Sequence, residues 1–280
     1  MRIFRSAAIA LSLLSLGACV HLDEVREFAG ESAQLSGYTG VVEHTLGAYA
    51  RAEPYLVEDV RIAEKIASDQ RQASRDTLIS LHKVASAYMT TLAKLAGEGS
   101  FNTDTGIDKV AKSITAAPEL GVSSATVNAY ATLVHKIAGW ASEVAQETAV
   151  RKMIVDGKDD IESVLGGLAD VARILDKIHQ NEKRSVLDGL ETMIATTPAT
   201  PNNYLIIALA RDQLNQKRVE YAKADAIFAK SAKGIADVRE GFATLAKNID
   251  RLDAKDVRDH LVQLRTDIKN IRNALSSAGI

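Results

Sequence analysis

Apolar side chains return every three or four positions along most of the chain, and no stretch shows the strict alternation of a half-buried strand. The pattern is strongest after Pro201, where Ile207, Leu214, Tyr221, Phe228, Ile235, Phe242 and Ile249 stand seven residues apart. Val238 and Leu245, with the smaller Ala224 and Ser231, fill a second position three residues after the first. A sustained seven-residue repeat keeps one seam of a helix turned toward a partner, with a slight left-handed supercoil. A helix over 202–250 would be about 70 Å long at ~1.5 Å per residue. A weaker copy follows Pro54, at Val60, Ala67, Ser74, Leu81, Tyr88 and Leu95. Helices of this length joined by short turns must lie antiparallel against others of similar length. The predicted fold is all-α, an elongated antiparallel bundle of long helices with heptad-like seams.

Breakers divide the pattern. A first helix is expected from about Leu22 to Arg51, loosened at 36–40, and a second from Pro54 to about Ala96, with no internal Pro or Gly to stop it. A loop at 97–102, a short helix near 105–116 and a break at 117–121 follow. Ser123 or Ser124 is placed to cap a helix running to about Val155, which Asp156-Gly157 ends. Asp159-x-x-Glu162 reads as a capping box opening a helix to about Thr196, bent or broken near Asn181. Thr197-Pro198-Ala199-Thr200-Pro201 is the clearest turn, with Thr200 as N-cap and Pro201 in the first helical position. Asp253 is expected to cap a last helix over 254–275.

Three polar stretches interrupt the seams: 68–77, 176–184 and 211–218. They predict solvated faces or, if they fall at one height, a charged waist or a projecting tip where a partner docks. Tyr88, Tyr221, Phe228 and Phe242 could line a pocket, but aromatics at heptad spacing read first as core. Gly166-Gly167, Gly234 and Gly241 lie inside predicted helices, where each costs ~1 kcal/mol against Ala and earns its place by letting helices approach.

Composition agrees with a helical protein: aromatics are 5% and only four prolines occur. The 34 Lys and Arg nearly balance the 36 Asp and Glu. No basic stripe is present, which weighs against a nucleic-acid partner.

The N-terminus has a different character. Arg2 and Arg5 precede an uncharged apolar run, Ala7 to Leu16, followed by the small residues Gly17 and Ala18. This is the layout of a secretory signal, and the run of about ten residues is too short to cross a ~30 Å hydrocarbon core. Cys19, the single cysteine, comes next, so no internal disulfide can form. Leu16-Gly17-Ala18-Cys19 resembles the lipobox of bacterial lipoproteins. The resemblance implies diacylglyceryl attachment to Cys19, cleavage before it and acylation of the new amine. Each buried acyl methylene contributes ~0.8 kcal/mol, so several chains on Cys19 hold firmly where one would not. Val20 rather than Asp follows Cys19, which by the same resemblance points to the periplasmic face of the outer membrane. The expected organisation is a lipoprotein signal peptide over 1–18, the acylated Cys19 with a short tether over 19–23, and a single helical-bundle domain over 24–280. Removing residues 1–18 takes away two of the 34 basic residues, Arg2 and Arg5, and moves the formal charge from −2 to −4.

The sequence carries no recognisable reactive constellation. The histidines are His21, His44, His82, His135, His179 and His260. A di-metal carboxylate bundle needs Glu-x-x-His on two helices, and no histidine has Glu three residues before it; His179 has only Asp176 there. There is no His-Glu-x-x-His, no cysteine pair, no Gly-x-x-x-x-Gly-Lys-Ser/Thr loop and no Gly-x-Ser-x-Gly elbow. Asp259 and His260 are adjacent and point apart. No catalytic, cofactor-binding or metal-ligating residue is assigned from sequence, no cofactor is expected, and the chain is not expected to be an enzyme. The first functional expectation is a lipid-anchored, non-enzymatic interaction or structural module with a protein partner. A carrier or sensor holding a small or lipid-like molecule between helices is the alternative. A pore-former ranks last, because the longest apolar stretch after the signal, Tyr204–Ala210, is far short of a span.

Overall fold

The computed structural model describes residues 22–34, 37–97, 114–140 and 147–277. Cys19, the signal segment, the glycine-rich loop after Gly97 and the short helix expected near 105–116 lie outside the described residues, apart from the last three residues of that helix. The helices are α1 (Asp23–Ala33), α2 (Gly37–Leu46), α3 (Ala48–Ala52), α4 (Glu58–Ala73), α5 (Arg75–Leu95), α6 (Ser124–Trp140), α7 (Glu147–Thr196), α8 (Tyr204–Lys247) and α9 (Lys255–Ser277). Short 3₁₀ turns cover Glu53–Tyr55, Pro118–Leu120 and Pro201–Asn203. No strand is present among the described residues, only the bridge Ala117↔Val122. The all-α bundle predicted from the heptads is the fold observed.

The α7–α8 hairpin is its spine. Pro198 and Pro201 close the turn as expected, although Thr200 makes no side-chain cap and Pro201 opens a 3₁₀ turn before α8 proper. On α8 the seam residues Ile207, Leu214, Tyr221, Phe228, Ile235 and Phe242 are all buried. At ~1.5 Å per residue α7 is about 75 Å long and α8 about 66 Å.

Two expected boundaries are overturned. Asp156-Gly157 does not end a helix, and Asp159-x-x-Glu162 caps nothing: both lie inside α7. Gly157 serves close packing instead, because a Cβ there would meet the Trp140 and Tyr88 rings at 3.0 Å. Glu162 pairs with Arg239 of α8. The helix expected from Pro54 to Ala96 is broken at Ser74, and Pro54 sits in a 3₁₀ turn ahead of α4. The reason is burial. In α5 the seam residues Leu81, Tyr88 and Leu95 are in the core, whereas α4 buries only Ser68 and Arg71. The apolar positions of α4 find no partner to cover them, and Val60, Ile62 and Ile66 stay exposed. The expected first helix is likewise divided into α1, α2 and α3. Ser123 does cap α6, its Oγ accepting the Thr126 N–H at 3.1 Å.

One apolar cluster joins α1, α2, α5, α6, α7, α8 and α9, and a smaller one, Ala52, Val186, Leu190, Leu214 and Tyr221, lies toward the hairpin turn. Helix α1 packs along α5 and α9. Three acidic residues of α1 face three arginines seven apart on α9: Glu24 with Arg258, Glu27 with Arg265, and Glu31 with Arg272. Both series ascend together, so α1 and α9 run parallel. Beneath this ladder Phe28 is fully buried against Gly241 of α8.

A Cβ on Gly241 would overlap the Phe28 ring, whereas one on Gly166 would meet nothing within 4 Å. Gly166 is therefore not the packing glycine the sequence suggested. Gly241→Ala is expected to destabilise by about 1–3 kcal/mol through overpacking, and Gly166→Ala to stabilise by about 0.5–1 kcal/mol. Urea unfolding of the two variants checks both signs.

Candidate functional site: a buried polar layer

Between the two apolar clusters the hairpin carries polar side chains inward. They come mainly from 176–184, which is therefore not the solvated face its composition suggested. His179 is 0% exposed and Glu182 is 4% exposed. Helical spacing of three residues puts the two on one face of α7. Tyr221 and Asp225 oppose them from α8, His44 reaches in from α2 and Arg51 from α3.

Glu182 receives three hydrogen bonds. Arg51 donates Nε to Oε1 at 2.6 Å and Nη2 to Oε2 at 2.8 Å, and the Tyr221 hydroxyl donates to Oε1 at 2.8 Å. The paired fork is the geometry in which guanidinium and carboxylate bind most strongly. Arg51 Nη2 also donates to the His44 carbonyl at 2.6 Å, which ties α3 to the end of α2. Gly47 makes room, since a Cβ there would lie 2.6 Å from Arg51 Nη1. Burial pushes the Tyr221 hydroxyl well up from its usual range, and the Glu182 charge adds to this.

His179 stacks face to face on Phe228, with ring centroids 4.3 Å apart. Its Nε2 lies 3.0 Å from Asp225 Oδ1. Asp225 also accepts from Gln180 at 2.9 Å and from Lys183 at 2.7 Å. Partial burial works to raise the Asp225 carboxyl, but the bonds from Lys183, Gln180 and His179 outweigh it and hold it low, so it is ionised. An ionised Asp225 accepts a hydrogen bond from His179 Nε2, so Nδ1 is the ring nitrogen that this pair leaves over. That Nδ1 is buried and has no hydrogen-bond partner, and the same holds for Nε2 of His44. The two imidazoles meet edge to face at 5.5 Å. Burial, and then the neighbouring Arg51 charge, push the His44 imidazole down to about 4, so it is neutral at pH 7.

Beside this layer α4 stands off from α7, leaving a cavity of about 360 Å³ lined by Glu64, Arg71, Glu182 and Arg184 together with Ala48, Ala52 and Leu56. Two of the polar stretches singled out in the sequence, 68–77 and 176–184, thus meet across one cleft. The third, 211–218, lies nearer the hairpin turn, where Gln213 donates to Tyr55 at 2.8 Å and Arg218 pairs with Glu191 at 2.7 Å. Of the four aromatics considered as pocket-lining, Tyr88 and Phe242 pack edge to face in the main core, and Tyr221 and Phe228 belong to the polar layer. The exposed His135 and the half-buried His82 and His260 stand apart from it.

Comparison with protein-family models, with curated protein sequences and with solved structures gives no match.

Removing one partner of a buried pair strands the other. Glu182→Ala leaves Arg51, one-third exposed, facing a low-dielectric layer, and is expected to cost about 2–4 kcal/mol. Lys255→Ala, which breaks the exposed pair with Asp259, is expected to leave the unfolding midpoint unchanged. Denaturant titration of the two variants measures the contrast.

Proposed function

We propose that the protein is a lipid-anchored bacterial envelope protein, a non-enzymatic helical bundle that faces the periplasm from the outer membrane and works by contact with a protein partner. The anchor in this reading is Cys19. The observation that carries it is the placement of two ends. Asp23, four residues after Cys19, begins α1, and the next residue, Glu24, faces Arg258, where α8 has ended and α9 starts. Four residues span at most ~14 Å, so an anchor on Cys19 belongs to this end. At the other end of α8, about 55–65 Å away at ~1.5 Å per residue, the hairpin turn exposes large apolar side chains. Leu205 is 70% exposed and Leu209 61%, with Tyr204, Ile206 and Met193 beside them in sequence or across the turn. Exposed apolar groups gathered at one place, rather than scattered, mark contact surfaces. Among the described residues no helix is long and apolar enough to cross a membrane.

The cavity between α4 and α7 favours the second reading, a carrier or sensor. Its wall of Glu64, Arg71, Glu182 and Arg184 suits a small polar or charged molecule better than a lipid-like one.

Cys19→Ser is expected to move the protein from the membrane fraction to the soluble fraction; unchanged fractionation would remove the anchor. A photo-cross-linker at Leu205 or Leu209 is expected to yield one discrete adduct in intact envelopes, while the same group at the exposed Lys269 of α9 yields none. Equal labelling from all three positions would count against a docking tip and leave the cavity reading in front.

A further inference from the structure

We propose that His44, His179 and Glu182 form a binding site for one divalent transition-metal ion of the zinc class, held by two imidazole nitrogens and one carboxylate oxygen. One donor atom from each residue lies within 4.8 Å of the others. A four-coordinate ion with bonds of about 2.1 Å needs donors about 3.4 Å apart, so the three must close by no more than about 1.4 Å.

Four further features fit an ion. The nitrogens free to ligate are the two that the protein leaves unsatisfied, Nδ1 of His179 and Nε2 of His44. Buried nitrogens without partners are uncommon, and one on a side chain as fully buried as His179 calls for a ligand. Second, the opposite nitrogen of His179 already holds the Asp225 carboxylate at 3.0 Å. This carboxylate–histidine arrangement is the usual support of a metal-bound imidazole, since it orients the ring and raises its basicity. Third, Glu182 retains capacity. Oε1 accepts from Arg51 and Tyr221, but Oε2 accepts only from Arg51 and keeps a lone pair. Fourth, Glu182 also lines the 360 Å³ cavity, so one of the three ligands borders open space beside the layer. Two nitrogens and one oxygen select zinc or a similarly borderline ion over calcium or magnesium, which take oxygen ligands. The Arg51 charge next to Glu182 sets a limit, and affinity is weaker than in a site whose carboxylate is unshared.

The test uses the full chain carrying Cys19→Ser, because the lone thiol is itself a zinc ligand. Titration with zinc chloride is expected to show one ion per chain. His44→Gln and His179→Gln are each expected to weaken binding at least tenfold, and Asp225→Asn tenfold to a hundredfold. His135→Gln, on an exposed histidine, is expected to change nothing. Circular dichroism verifies that each variant keeps its helices. Should a histidine variant fail to fold, cobalt chloride added to the unsubstituted site decides. Intense visible bands of a four-coordinate ion, bleached by zinc, support the site. Weak six-coordinate absorption, no stoichiometric binding, or zinc affinity unchanged in both histidine variants overturns it.

Discussion

A carboxylate removed from water needs hydrogen-bond donors around it, and Glu182 finds them on two other helices. It sits on α7, its fork partner Arg51 on α3 and its hydroxyl donor Tyr221 on α8. The same guanidinium holds the end of α2 through the His44 carbonyl. Tyr38, Val41, Val42 and Leu46 seat α2 in the main core, and this contact fixes the five-residue α3 against its end. Where Arg51 is held thus sets α3 against both the end of α2 and the polar layer.

The layer also separates the interior into two unequal parts. Below it the large cluster is held by area, at roughly 1.5–3 kcal/mol for each fully buried large side chain. Above it the hairpin continues with the smaller cluster of Ala52, Val186, Leu190, Leu214 and Tyr221. Polar groups within a low-dielectric region favour one arrangement over its near neighbours, because a slip along the seam would leave each of them unpaired. A heptad seam by itself permits such slips. Here Glu182 with Tyr221 and His179 with Asp225 fix the register of α7 on α8.

How much of this was readable from the residues depended on whether the cause was local. The hairpin was readable because Pro198 and Pro201 punctuate it and a seven-residue repeat runs the length of α8. The break at Ser74 was not, since the repeat passes through it without a fault; what fails there is burial of α4, a tertiary property. Gly157 carried a misleading signal, because a glycine that ends a helix and one that admits an aromatic ring look alike in sequence. The candidate metal ligands are not legible in the sequence for two reasons. His179-x-x-Glu182 has the opposite order to the Glu-x-x-His of carboxylate-bundle sites, though the same helical face. His44 lies 135 residues upstream and joins them only through folding. Cys19 was read from its immediate neighbours alone and falls outside the described residues.

The ladder between α1 and α9 bears on mechanics. Helix α1 begins at the end of the molecule opposite the hairpin turn and runs alongside α9 in the same direction. A pull entering at Asp23 and opposed at the hairpin turn therefore acts along the axis of α1. Glu24–Arg258, Glu27–Arg265 and Glu31–Arg272 are loaded side by side, together with Phe28 wedged against Gly241. In that shearing geometry the contacts must yield together, whereas a sideways pull would peel them one after another. Helix α1 is thus oriented to bear tension along the length of the bundle.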